Sequence, residues 1–137
     1  MAPPFLIHPI GTVRRHGDQT FIDLDPAFGD GLLGLDGFSH IVVCYWLDRN
    51  DTPEARSVLR THPRADPANP LTGVFATHSP RRPNPIAISL CRLMAVTGPT
   101  LEIDRIDALD ASPVIDIKCF IPGTRFEKEA VRVPDWV

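Results

Sequence analysis

Fifteen prolines and nine glycines interrupt this chain of 137 residues every few positions. Proline removes a helical donor and glycine weakens a helix, so no helix longer than two or three turns fits between them. Extended segments fill the gaps. Runs rich in Val, Ile, Phe and Thr predict strands over Phe5–Arg14, Gln19–Leu24, His40–Leu47, Arg56–Thr61, Gly73–Thr77, Ile86–Val96, Thr100–Ile106 and Pro113–Phe120. Seven or eight short strands set off by Gly/Pro/Asp turns predict a mainly β fold, a closed or nearly closed barrel with few short helices rather than βαβ units. The length fits one domain spanning residues 1–137.

A content of 43% hydrophobic and 23% charged residues belongs to an ordinary globular protein, and no apolar run approaches the roughly 20 residues that cross a bilayer. No membrane association is expected. The N-terminal MAPPFLIHPIG lacks a basic region and a small-residue cleavage site, so the expected compartment is the cytoplasm. Cys44, Cys91 and Cys119 stand in apolar segments at wide spacing and read as buried thiols. The five histidines are scattered singly, without ligand spacing, and no metal site is expected.

The net charge of −3 argues against a generic nucleic-acid binder, but the charge is uneven. Residues 55–82 carry Arg56, Arg60, Arg64, Arg81 and Arg82 against Asp66 alone, a local +4 that leaves −7 for the remainder. One basic patch on an acidic body follows, unless these arginines form ordinary surface ion pairs. The run Ile41–Leu47 is apolar at every position, so both of its faces need cover, from a second subunit or from the barrel and a loop of the same chain. His62–Leu71 reads as a proline-rich loop outside any sheet, and Phe126–Val133 as a short helix or a last strand.

Nucleotide-binding signatures of the G-x-G-x-x-G and G-x-x-x-x-G-K types are absent, as is a G-x-S-x-G elbow. The unusual stretch is GVFATHSPRRPNPIAIS, Gly73–Ser89, where a glycine-led strand enters a basic loop and leaves as another strand. Three prolines within six residues confine the backbone around Arg81, Arg82 and Asn84, which suits a preorganised site. A second stretch, IDALDASPVIDIK, sets Asp107, Asp110, Asp116 and Lys118 in apolar surroundings. Asp116 and Lys118 lie two apart, on one face if the segment is a strand, where they can pair.

These motifs resemble the TsaA-like family, which includes the TrmO tRNA methyltransferases. GVFATHSPRRPNPIAIS is similar to the family's G-V-F-A-T-R-S-x-x-R-P-N-P-I-G-x-S, and GLDGFSHIVV to its G-L-x-x-F-S-H-L-W. LDASPVIDIKCFIP resembles L-D-G-T-P-V-x-D-I-K-P-Y-x-P, and IGTVRR resembles the first strand. The resemblance covers most of residues 10–122. It implies a small antiparallel β-barrel that binds S-adenosylmethionine, as a homodimer with the cofactor near the subunit interface. In the tRNA enzymes the acceptor is threonylcarbamoyl-adenosine beside the anticodon, methylated on its exocyclic nitrogen.

Carried over by residue, the cofactor contacts fall on Asp48, Arg49, His78, Ile88 and the run Asp107, Ala108, Leu109, Asp110, and the matching motif positions Arg82, Asn84 and Asp116 are the catalytic candidates. Several positions depart from the pattern. His78 stands where the family has arginine, Asp48–Arg49 where the tRNA enzymes have histidine–glutamine, and Ala111–Ser112 where glycine–threonine is usual. Only His16–Gln19 fills the interval where those enzymes carry a proline–arginine–glutamine segment, and the longer ones add a C-terminal domain that is not in this sequence.

Methyl transfer from a sulfonium is an in-line displacement, so alignment and exclusion of water matter more than a nucleophilic side chain. Asp116 and His78 are candidates to accept the acceptor's proton, and Arg82 to hold an anionic group of the acceptor. Three readings stay open: a tRNA methyltransferase, a methyltransferase of a small-molecule acceptor, and a non-catalytic cofactor-binding module.

Overall fold

The computed structural model describes all residues, Met1 to Val137. Strands β1 (Gly11–His16), β2 (Gln19–Leu24), β3 (His40–Trp46), β4 (Arg60–Thr61), β5 (Thr72–Gly73), β6 (Ile86–Thr97), β7 (Thr100–Ile103) and β8 (Pro113–Cys119) follow in chain order, with one short helix, α1 (Pro53–Arg56). Six of the strands close into an antiparallel barrel in the order β1-β2-β7-β6-β3-β8, and β4 and β5 form a separate two-stranded ribbon. The expected barrel is therefore present.

Alternation along the strands places the core inside the barrel. Val13, Ile22, Leu24, Ile41, Val43, Tyr45, Cys91, Leu101, Ile103 and Val114 are buried together, and Leu32, Ile106 and Ala108 join the same cluster. Closure requires a glycine at Gly11, opposite Leu24 on β2 and Val114 on β8. A Cβ at Gly11 would lie 2.3 Å from the Asp23 carbonyl oxygen, so no larger residue allows this close approach.

Four strand expectations are corrected at their ends, the first being Thr100–Ile106: β7 stops at Ile103, where the Asp104 carboxylate accepts the Arg92 N–H (2.9 Å). Residues 5–10 are not strand: the ladder to β2 starts at Gly11, Ile10 adds one bond to Val114 and one from Asp25 (both 2.8 Å), and residues 5–9 make no backbone bonds. Arg56 ends α1 rather than opening a strand, since Thr52 accepts a hydrogen bond from the Ala55 N–H (3.1 Å) and Pro53 starts the helix. Val74–Ala76 is a 3-10 turn, with the Thr77 hydroxyl donating to the Val74 carbonyl oxygen. Phe126–Val133 forms turns and irregular chain, neither helix nor strand. Of the three thiols only Cys91 is buried; Cys44 and Cys119 are half-buried.

The inner face of β3, Ile41, Val43 and Tyr45, lines the core, while Val42, Cys44 and Trp46 point outward. Part of that outer face is covered by the chain itself: the Trp46 indole donates to Asp51 (3.0 Å) and the Arg56 guanidinium lies 5.9 Å from its ring centroid. The remainder is open. Val42 pairs with Leu90 and Cys44 with Ile88 across the β3–β6 ladder, and Ile88 and Leu90 are 69% and 57% exposed.

Candidate functional site

Loop 104–112, between β7 and β8, caps one end of the barrel. Its geometry is fixed from β1. The Arg15 guanidinium donates to the carbonyl oxygens of Ile106 and Ala108, and the Arg15 backbone N–H donates to Asp110 Oδ1 at 2.8 Å. Backbone bonds from Ala111 N–H to the Val13 carbonyl (2.8 Å) and from Val13 N–H to the Ser112 carbonyl (2.9 Å) stitch the loop to the same strand. Ala111 sits at φ 67°, in the left-handed region.

Beside this loop, the 3-10 turn Asp48–Asn50 follows β3. A bond from Leu47 N–H to the Pro85 carbonyl (2.7 Å) ties the start of that turn to the proline loop. A small cleft of about 50 Å³ lies between the two segments, lined by Asp48, Arg49, Asp107, Ala108 and Leu109 together with Tyr45 and Ser112. Five of the eight cofactor candidates thus share one cleft. Asp110 adjoins it, with one carboxylate oxygen committed to Arg15. His78 lines a separate cleft of about 690 Å³ beside the β4–β5 ribbon, and Ile88 lies on the outer face of β6.

The catalytic candidates divide similarly. Arg82 Nη1 donates to the carbonyl oxygens of Thr77 (3.0 Å) and Ser79 (3.1 Å), bracing the proline loop from within. Asn84 Oδ1 accepts from Arg56 (3.0 Å), whose Nε also donates to the Pro83 carbonyl (2.8 Å) and whose third contact is an ion pair with Asp51 (3.0 Å). Asp116 lies on the outer face of β8, opposite Cys44, and pairs with Lys118 at 3.6 Å. Ile88, Cys44 and Asp116 therefore form one row across β6, β3 and β8.

Sequence reading missed two residues that organise the site, Arg15 and Arg56. Neither stands in a motif position that assigns it a role. Each acts through backbone carbonyls brought near only by the closed barrel, so local sequence carries no signal for them. Electrostatics reinforces the second: hydrogen bonds from the Trp46 indole and then from Arg56 hold the Asp51 carboxyl below the usual carboxylate range.

The family described as the tRNA-methyltransferase O N-terminal domain matches residues 8–124. A probable S-adenosyl-L-methionine-binding protein of Methanocaldococcus jannaschii is 41% identical over 116 residues, covering 85% of this chain and 92% of that protein. A human tRNA (adenine(37)-N6)-methyltransferase is 37% identical over 90 residues, covering 66% of this chain and 20% of that protein. A TrmO crystal structure superposes with a TM-score of 0.71 at 25% identity, over 95% of this chain and 64% of its own.

Proposed function

Because the chain belongs to the tRNA-methyltransferase O N-terminal domain family, we propose that it binds S-adenosylmethionine and methylates an exocyclic nitrogen of a tRNA adenosine, at a site shared by two copies of the chain. The observation that carries this reading is the meeting of Asp48 and Arg49 with Asp107, Ala108 and Leu109 around one cleft, although Asp107 comes 58 positions after Arg49 in the chain. The donor set suits the cofactor. Asp48 and Asp107 make no ion pair within the chain and are available to ribose hydroxyls or an ammonium, and Arg49 is available to a carboxylate. The cofactor supplies an electrophilic methyl carbon.

What the chain itself contributes is alignment and a dry wall. The buried Ala108 and Tyr45 and the half-buried Leu47 offer apolar surface, and Arg15 keeps the Ile106–Asp110 backbone in one conformation. His78 and Asp116 are the candidates to accept the proton leaving the acceptor nitrogen, and neither lines the cleft with Asp48 and Asp107.

A cleft of about 50 Å³ is far smaller than the roughly 300–1,000 Å³ of small-molecule sites, so one chain offers only part of the wall. The uncovered outer face with Val42, Cys44, Ile88 and Leu90 supplies the rest of the argument for a homodimer. A second copy packed there by two-fold symmetry brings Ile88 and Asp116 to the boundary between copies.

The test is methyl incorporation into tRNA from a strain lacking this modification, followed by mass spectrometry of the digested nucleosides. Methylated threonylcarbamoyl-adenosine is expected. A second reading, cofactor binding without transfer, is favoured by His78 at the position where the family has arginine. It predicts saturable cofactor binding with no methylated nucleoside.

A further inference from the structure

The cleft of about 690 Å³ is set apart from the five clustered cofactor candidates. Its walls come from Thr61–Ala65, from Ala76–Arg81 and from the last two residues, Trp136 and Val137, the latter bearing the terminal carboxylate. Two arginines, Arg64 and Arg81, line it together with His62 and His78. Neither guanidinium has a carboxylate partner, in contrast to Arg56, paired with Asp51, and to Arg82, bonded to Thr77 and Ser79. Arg64 and Arg81 therefore bring two guanidinium charges without a side-chain carboxylate partner to this cleft, on a body that is otherwise acidic.

The wall is also stiff. Arg64 and Ala65 adopt φ of 59° and 55°, a conformation unfavourable to residues with a Cβ, which here turns the chain beside the cleft. Asn69 donates to the Pro63 carbonyl (2.8 Å) and the Asn69 carbonyl meets the His62 ring (2.8 Å), closing that loop on itself. On the facing side, Arg82 braces Thr77 and Ser79 from beneath, leaving its neighbour Arg81 to the cleft.

Unpaired guanidinium groups favour phosphate, and an indole beside them offers a face on which a base can stack. The volume suits a nucleotide-sized group. Arg81 occupies an unspecified position of the S-x-x-R motif and Trp136 lies beyond residues 8–124, so these elements belong to this chain rather than to the family pattern. We infer that this cleft receives the single-stranded RNA flanking the methylated adenosine, with Trp136 stacked on a base and Arg64 and Arg81 on phosphates. The inference rests on the reading of tRNA as acceptor.

The experiment follows a fluorescently labelled anticodon stem-loop RNA by anisotropy over a salt series, with the full chain and its variants, and measures cofactor affinity and melting temperature in parallel. The double variant Arg64→Ala/Arg81→Ala is expected to bind RNA at least about tenfold more weakly and to flatten the log–log salt slope by roughly 1.4, two single-strand phosphate contacts. Trp136→Ala is expected to weaken RNA about five- to hundredfold, with Trp136→Phe restoring most of it. Cofactor affinity and melting temperature stay at wild-type values.

Wild-type RNA binding that none of these variants changes would overturn the assignment of the cleft and leave the acceptor reading intact. Tighter RNA binding by Trp136→Ala would also overturn it, by making the indole an obstruction. Absence of RNA binding by the wild type at low salt would overturn the acceptor reading and, with it, this inference.

Discussion

Arg15 on β1 holds Ala108, 93 residues later in the chain, through its guanidinium and the Ala108 carbonyl oxygen. The same guanidinium reaches the Ile106 carbonyl, so one side chain sets the backbone of the loop that carries Asp107 to Asp110. Arg15→Ala is expected to cost about 2 kcal/mol of stability, since charge-assisted hydrogen bonds contribute roughly 1.5–3 kcal/mol. Cofactor affinity should fall by about tenfold or more, and Arg15→Lys should recover only part, because an ammonium does not reproduce the planar fork. Calorimetry and thermal melts on both variants check this.

Ala111 stands at φ 67° where the resembled family uses glycine. Left-handed backbone costs a residue with a Cβ about 1 kcal/mol or more relative to glycine. Ala111→Gly is therefore expected to stabilise the protein by about 1 kcal/mol, a rise of roughly 3–5 °C in melting temperature for a domain of this size. An unchanged or lower melting temperature would mean that the surrounding bonds to Val13 and Leu109 already compensate.

The Asp51 carboxyl is held below its usual range by the Trp46 indole and then by Arg56. A folded-state pKa depressed below the unfolded value contributes stability above the unfolded value, about 3.9, and loses it as pH falls through the folded value. Acid titration of the melting temperature should thus show a loss below about pH 4 that is smaller in Asp51→Asn. The group is exposed and the effect should shrink in high salt.

How far the sequence alone leads is visible in β3 and in Arg56. Ile41–Leu47 carries its strand character in its composition, and its inner residues alternate into the core as a barrel requires. Arg56 does not: the Thr-Pro-Glu start that makes Thr52 an N-cap is short, and the apolar residues after it suggested a strand. The clustering of Asp48, Arg49 and Asp107–Leu109 was readable only through the resemblance, because it depends on which strands neighbour each other in the closed barrel. Arg82 likewise reads in sequence as a group to hold an anion of the acceptor, whereas its hydrogen bonds to Thr77 and Ser79 need the folded loop.

Burial pushes the Cys91 thiol up to about 11, so at pH 8 only about one molecule in a thousand carries the reactive thiolate. Cys91 is also only 2% exposed. Alkylation of the native protein should therefore spare Cys91. Cys44, half-buried on the outer face between Ile88 and Asp116, separates the oligomeric alternatives. Its alkylation should be slower in the homodimer than in an Ile88→Glu variant, which light scattering should find monomeric. Equal rates, with Ile88→Glu matching the wild type in mass, would place any contact between copies elsewhere.

In the proposed function, Asp48, Arg49 and Asp107–Leu109 form part of an S-adenosylmethionine site. The most direct measurement is isothermal calorimetry of the wild type and of Asp107→Ala with S-adenosylmethionine, backed by the thermal stabilisation that a ligand of the native state must produce. Saturable binding near one cofactor per chain is expected, with affinity reduced about tenfold or more in Asp107→Ala while its melting temperature without cofactor stays near that of the wild type. No heat and no stabilisation of the wild type at millimolar cofactor would contradict it.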